Sequence, residues 1–551
     1  MLKKVLLFFC IFNIAISSFA QLSDGGLPIS FVNKLANQIP VKYIDIQEIN
    51  NEEKQKNSKR AYIGKIIKTN ITLENSGNWQ ITNEGKLWLL KIIAPNAKAI
   101  SLYYNEFEIP EGANFFIYNT DKTTILGAFT HKNNQVKNNF ATVFTQGEEV
   151  ILEYFVPKNC KNVGKISINE LNYAYQNVDF VTIKNGMGTS GECQINVNCK
   201  ETQQWQNEKN ATVRWLSRNK DGSWWCTGTL INNAKQDFIP YILSSEHNIL
   251  DDNYLPPENS YFAQFHFYFN YESNECEPPN DYSNVQLKTM IGCELKASSG
   301  ANGAIKGSDF LLLQLLEDIP ESYTPYFAGW NRLNLAIDSG YCVHHPQGDL
   351  KKISKSVNTQ SSNKYSNELA YWSTSWQTIG NKTGTTEAGS SGSALFNMNK
   401  EIVGTLTSGG SSCLEPSKTD YFGKFYYHWN LNGAKPRNQL EIWLDPNLTG
   451  IISMKGSYKN PNSLSLPQNQ MLKFTISPNP AREFISLEIS GDFNCNFEVA
   501  IFDIWGQKLQ THFLEENEKN KQIDLSSLIK GTYIIKLTSE KYSAFQKIIK
   551  I

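Results

Sequence analysis

No Cys-x-x-Cys spacing occurs in the 551-residue chain and its seven histidines are scattered, which argues against a structural zinc site. Charge of one sign is missing too. Lys and Arg number 52 against 53 Asp and Glu, so the chain offers no field for steering nucleic acid or anionic membrane. Beyond the first twenty residues no run approaches the length of apolar side chains that a membrane helix needs, and no internal repeat or low-complexity tract is found.

Aromatics, by contrast, make up 12% of the chain, and the segment Tyr261-Phe262-Ala263-Gln264-Phe265-His266-Phe267-Tyr268-Phe269 mixes them in a β-favouring pattern. A mainly β protein is expected. At 551 residues the chain exceeds what one core usually serves, so about three folded units are expected. Lys3 and Lys4, the apolar stretch at 5–16 and the small-x-small triplet Ser18-Phe19-Ala20 predict a cleaved secretory signal at 1–20, with an uncleaved anchor as the alternative.

Residues 21–184 alternate short apolar strands with turns and form a β-rich N-terminal domain, with an exposed loop at 51–60. A small, polar, glycine-rich linker follows at 185–191. Cys10 would leave with the signal, and seven of the nine remaining cysteines (193, 199, 226, 276, 293, 342 and 413) lie in the next block, 185–456. That concentration marks a disulfide-stapled domain in an oxidising compartment, and the odd total leaves at least one thiol unpaired within the chain. A linker at 457–470 leads to a compact β unit at 471–551, with strands near 484–489, 499–504 and 533–537.

The chemistry concentrates in the central block. Gly389-Ser390-Ser391-Gly392-Ser393 leads into an apolar strand; such a turn exposes one hydroxyl and aims the N–H groups of Gly389 and Ser391 at a common point, as an oxyanion hole requires. A serine needs a base, and the base a carboxylate to orient it. His247 directly follows the apolar run Tyr241-Ile242-Leu243-Ser244, and Asp309 heads the run Phe310-Leu311-Leu312-Leu313. Each alone reads equally as a loop or turn residue; the ordered set is more specific.

These segments, with Ser190-Gly191-Glu192-Cys193, Cys226-Thr227-Gly228-Thr229-Leu230 and His344-His345-Pro346-Gln347-Gly348-Asp349-Leu350, resemble the lysyl endopeptidases, bacterial chymotrypsin-fold serine proteases. The resemblance spans roughly 191–429. It implies a two-β-barrel, trypsin-like protease domain that needs no cofactor or metal and acts on protein or peptide substrates. His247 would be the general base, Asp309 its orienter and Ser391 the nucleophile. It also implies Cys193 paired with Cys413 and Cys199 with Cys276; Cys293 with Cys342 is a further expectation.

In trypsin-like enzymes the acid of the primary pocket stands six positions before the nucleophile, which here is Thr385. Asp420, in Thr419-Asp420-Tyr421-Phe422-Gly423-Lys424, matches the family's Asp-x-Tyr/Phe-Gly-Arg/Lys segment and would receive a substrate lysine, with a surface loop aspartate as the bland alternative. Lys184 stands where such an enzyme could free its own domain from the N-terminal propeptide. Position 390 is serine where trypsin-like zymogens carry aspartate, so a new N-terminal ammonium has no acid to meet there.

The pattern departs from the family at Asn248, which replaces the cysteine after the histidine and leaves Cys226 without its expected bridge; Thr407 or Ser408 replaces a pocket histidine of some relatives. These departures keep open a catalytically impaired pseudoprotease or adhesin, and an arginine- or dual-specific protease. The C-terminal block resembles type IX secretion sorting domains through Ser477-Pro478-Asn479-Pro480, Ile501-Phe502-Asp503-Ile504-Trp505-Gly506-Gln507, with Gly506 in a hairpin turn, and Leu525-Ser526-Ser527-Leu528-Ile529-Lys530-Gly531. That resemblance implies outer-membrane export machinery as a partner and a secreted or surface-attached product; a generic β-sandwich adhesion module is the alternative.

Overall fold

A computed structural model describes residues 23–32, 39–46, 60–135, 139–178, 189–251, 253–277, 288–300, 307–365, 368–459, 473–490, 495–502, 508–516, 518–539 and 543–551. The signal segment, Lys184, most of both linkers, the 51–59 part of the expected loop and Gly506 lie outside them. The fold is mainly β, in two compact units, 1–460 and 461–551.

The N-terminal domain is built on β1 (Ala61–Thr72), β2 (Gly85–Ile93), β3 (Ala99–Glu108), β4 (Asn114–Asn119), β5 (Glu149–Pro157) and β6 (Lys165–Ala174). One sheet pairs β2 with β5 and β5 with β4; a second pairs β1 with β6 and β6 with β3, all antiparallel. Aromatic and β-branched side chains, among them Tyr103, Tyr104, Phe107, Phe115 and Tyr154, fill the core.

The central domain holds two closed barrels. In the first, β7 (Thr212–Arg218), β8 (Gly222–Ile231), β9 (Tyr241–Ser244), β10 (His266–Phe269), β11 (Lys288–Ile291), β12 (Cys293–Ser298) and β13 (Leu311–Leu315) run antiparallel in the order β10-β7-β8-β9-β13-β12. Pairing of β10 with β11 closes the ring, because β11 and β12 form one path broken only at Gly292, where φ is +87°. The second barrel joins β14 (Ser339–His344), β15 (Lys352–Ser362), β16 (Tyr371–Gln377), β17 (Ala394–Asn397), β18 (Glu401–Gly409) and β19 (Asp420–Lys424), closed by β17 with β18. Closure removes sheet edges, and fully buried runs such as Tyr241–Ser244 follow from it.

The N-terminal domain does not stand apart from the first barrel. Where β9 leaves β8, strand β1 pairs with it instead, Ala61 opposite Trp225 and Tyr62 opposite Trp224. The N-terminal core takes in Leu216, Trp225, Tyr268 and Ile291 of the barrel, and Arg218 meets Glu170 at 2.7 Å.

Cys193 is bonded to Cys413 and Cys199 to Cys276. The expected Cys293–Cys342 bridge is absent: both are free and buried, Cys293 opening β12 in the first barrel and Cys342 within β14 in the second. The Cys293 thiol lies 3.4 Å from the Phe262 carbonyl, and that of Cys342 lies 3.1 Å from the Ser393 hydroxyl. Each barrel thus surrounds its own thiol.

The 461–551 unit has two antiparallel sheets. One holds Lys473–Ser477, Phe484–Ser490 and Asn520–Asp524; the other Phe497–Phe502, Lys508–Leu514, Gly531–Thr538 and Ser543–Lys550. Ile485, Leu487, Val499, Ile535 and Ile548 form a core between them.

Candidate active site

Strand β9 ends at Ser244, and the chain turns through a single 3-10 turn, Glu246–Asn248, that carries His247 outward. Hydroxyls fasten this corner: Ser244 donates to the Thr227 carbonyl at 2.8 Å and Ser245 to that of Leu406 at 2.7 Å. Asp309 stands two residues before β13 with φ at +57°, a left-handed conformation that aspartate tolerates better than most residues. That conformation presents both carboxylate oxygens to one residue. Oδ1 accepts the His247 backbone N–H at 2.9 Å, and Oδ2 lies 2.7 Å from His247 Nδ1.

The Asp309 side chain is wholly buried whereas that of His247 is 21% exposed. A buried acceptor on Nδ1 fixes the tautomer with the proton there and leaves Nε2 as the free acceptor. Glu246 beside it accepts from the hydroxyls of Ser298 (2.8 Å) and Ser299 and from Gly300 N–H at 3.1 Å. Burial pushes its carboxyl up to about 7.

Behind Asp309 lies a network that sequence reading missed. The Ser308 hydroxyl is 2.7 Å from His428 Nδ1, and Thr405 Oγ1 is 3.0 Å from His428 Nε2. Burial lowers His428 to about 3, so the ring is neutral. Asn432 Oδ1 accepts the Ser308 N–H at 2.8 Å. A histidine within a short aromatic helix carries no local mark of such a partner, so only the fold discloses it.

Ser391 precedes Gly392, whose φ is +85° and whose place would not admit a Cβ without striking Ser244 Oγ and the Thr227 carbonyl. The Ser391 carbonyl accepts Thr227 N–H and Asn248 Nδ2, each at 3.0 Å, while the residue itself stays partly exposed. The turn that carries His247 and the serine turn are therefore hydrogen-bonded neighbours. Among the described residues no bond within 3.5 Å joins the Ser391 hydroxyl to His247; such bonds commonly tighten only with substrate bound.

The amides of the turn alternate in a telling way. Ser390 N–H donates to the Glu387 carbonyl at 3.0 Å and Gly392 N–H to that of Leu406 at 2.9 Å. Gly389 N–H and Ser391 N–H have no acceptor among the described residues. Gly389, at φ +89°, has Gly348 N–H and the His345 carbonyl 2.9 Å from where a Cβ would sit, so only glycine fits.

Asp420 opens β19 and is fully buried. Its Oδ2 accepts Trp376 Nε1 (2.7 Å), Thr386 Oγ1 (2.6 Å) and Ser411 Oγ (2.5 Å), and Oδ1 accepts Ser411 N–H at 3.0 Å. Burial raises its pKa. The bond from Thr386 ties it to the chain leading into the serine turn. Thr385 is buried; the Thr407 hydroxyl has no partner among the described residues, and Ser408 meets the Tyr365 hydroxyl. From the N-terminal domain, Arg60 Nη2 approaches the His247 carbonyl at 3.5 Å.

Residues 187–423 match the family model for "Lysyl endopeptidase, C-terminal domain", and residues 475–551 that for "Secretion system C-terminal sorting domain". A lysyl endopeptidase of Pseudomonas aeruginosa is 26% identical over 295 residues, which are 51% of this chain and 59% of that one. The chain therefore spans less than two thirds of the length of this curated relative. Solved structures similar to this one include kallikrein-related peptidase 10 (10% identity, 45% of this chain, 98% of that one, TM-score 0.28) and the serine endoprotease from Yersinia pestis (12%, 64%, 97%, 0.27). At such scores the architecture rests on the barrels themselves.

Proposed function

We propose that this chain, lysyl endopeptidase-like in its central region and carrying a secretion sorting domain at its end, is a secreted serine endopeptidase that cuts proteins after lysine. The observation that carries the reading is the double grip of Asp309 on His247, beside a turn that exposes Ser391 and two unaccepted amides.

In this reading His247 Nε2 takes the Ser391 hydroxyl proton as Oγ bonds to the substrate carbonyl carbon, and the carbonyl π electrons move onto oxygen. Gly389 N–H and Ser391 N–H hold that oxyanion. Collapse expels the amine, which takes the proton from His247, and water repeats the sequence to free the acid. Asp309 stays ionised and steadies the imidazolium.

Asp420 would meet the substrate ammonium, which restores a charge partner to a carboxylate that burial has already cost solvation. The 21–184 domain acts as a propeptide released at Lys184, and the last unit engages the type IX export machinery. An active-site fluorophosphonate tests the core of the reading. Labelling of wild type but not Ser391→Ala supports it; processed wild type that never labels points to a binding protein that kept the fold. Equal cleavage after arginine and lysine in a peptide library would overturn the lysine preference alone.

A further inference from the structure

The serine turn is braced by the end of the glycine-rich linker and the residues just after it, and the brace is a carboxylate, Glu387. Its Oε1 accepts Gly191 N–H at 3.0 Å and Gln194 Nε2 at 2.6 Å, and the same Gln194 amide reaches the Thr385 carbonyl at 2.8 Å. The Cys193–Cys413 bond lies between those two contacts in sequence. On the other side, Glu387 N–H donates to Ser390 Oγ at 3.1 Å, and Ser390 Oγ lies 2.8 Å from His344 Nδ1. Burial lowers His344 to about 3, so a neutral ring fills the place beside residue 390.

A second strut runs parallel. Ser190 N–H and its hydroxyl both donate to Asp349 Oδ2, the former at 3.4 Å. Thr189 Oγ1 donates to the Gln347 carbonyl at 3.1 Å, and Gln347 N–H donates to the Ala388 carbonyl at 2.5 Å. Residues 189–194 therefore reach the turn that bears Gly389 and Ser391 from two sides.

In a zymogen with aspartate at the position before the nucleophile, a freed ammonium sets this turn. Ser390 cannot take that part. We infer that Glu387 is a positioning residue that fixes the two oxyanion amides by anchoring the 190–194 segment, and that it does so through main-chain and side-chain amides present before any scission. The inference rests on the protease reading above. Building the oxyanion site is then separated from freeing the chain, and cleavage of the linker serves access to the site alone.

The test compares Glu387→Ala with Glu387→Gln in processed enzyme, with turnover expressed per site titrated by a burst reagent. Loss of the acceptor misplaces amides that act only on the transition state, so Glu387→Ala should lower kcat by about tenfold or more while KM stays within about twofold. Fluorophosphonate labelling should slow by a similar factor. Glu387→Gln keeps an acceptor oxygen for both donors and should retain most of the activity. If Glu387→Ala does not fold, Gln194→Leu removes the shorter of the two contacts and is read the same way. Unchanged turnover per site, with only the melting temperature lowered, overturns the inference and leaves the protease reading standing. Wild type that never labels removes both.

Discussion

The side-chain amide of Asn248 donates to the main-chain carbonyl of Ser391 at 3.0 Å and to Ser244 Oγ at 3.1 Å. Asn248 stands where the resembling family has a cysteine, and Cys226 is buried and in no disulfide among the described residues. A hydrogen bond between the turn that carries His247 and the serine turn stands where a covalent bridge would set the register.

Asn248→Ala removes that bond from a buried site at a cost of about 1–3 kcal/mol. We expect kcat/KM to fall by about tenfold, mostly in kcat, with processing unaffected. Asn248→Cys places a thiol near Thr227 N–H, which shares the same carbonyl, and hence near Cys226. In an oxidising buffer a bridge should form and show as a mass loss of two hydrogen atoms, with the melting temperature raised. Absence of any kinetic change in Asn248→Ala would deny the residue its linking role.

The Glu246 carboxyl sets a pH signature. Its ordinary value is 4.5 and burial lifts it to about 7, helped by the Asp309 charge and opposed by Ser299, Ser298 and Gly300. The folded state holds this proton more tightly than the unfolded chain, so its stabilisation is full below about 4.5 and is lost as pH rises towards 7. Melting curves of wild type and Glu246→Gln should therefore diverge across that window, with the wild type losing ground as pH rises. Parallel curves would show that Glu246 does not titrate there.

Asp420→Asn removes charge while keeping shape. Truncating one partner of a desolvated charge pair typically costs about 2–5 kcal/mol, so kcat/KM on lysyl substrates should fall by about a hundredfold. Labelling by a small uncharged fluorophosphonate should change little. Equal loss with both reagents would move Asp420 from the pocket to the frame.

The Arg218–Glu170 pair joins the N-terminal domain to the first barrel, with side-chain exposures of 1% and 9%. Arg218 also lies against the rings of Tyr103 and Tyr261, each at 4.1 Å. Removing one partner of a buried pair costs about 3–5 kcal/mol, so Glu170→Ala should lower the melting temperature of the unprocessed chain markedly. An unchanged transition would show that the pair adds nothing to the joint.

What sequence could disclose divides along physical lines. The contact between His247 and Asp309 joins residues that the sequence marks, one just after an apolar strand and the other just before one, and the serine turn is marked by the glycines it needs at φ +89° and +85°. Two disulfides could be carried over with their motifs. The pairing of Cys293 with Cys342 could not be excluded by counting, because it depends on which barrel encloses which strand. The His428 network, the Asn248 bond and the pairing of β1 with β8 join residues far apart in the chain, with no local composition to announce them. The segment 261–269 shows the limit of local pattern: its first residues close a short helix, Asn259–Phe262, and only His266–Phe269 is strand.

The bond from Cys193 to Cys413 closes a loop of 220 residues that takes in the whole first barrel and most of the second. A chain severed at Lys184 would still be tied to the rest of the protein through Cys193, nine residues further on. Were the leading domain released, the start of the central domain would stay held by this bond, and a reducing agent, more than a peptidase, is the reagent that would unlace it.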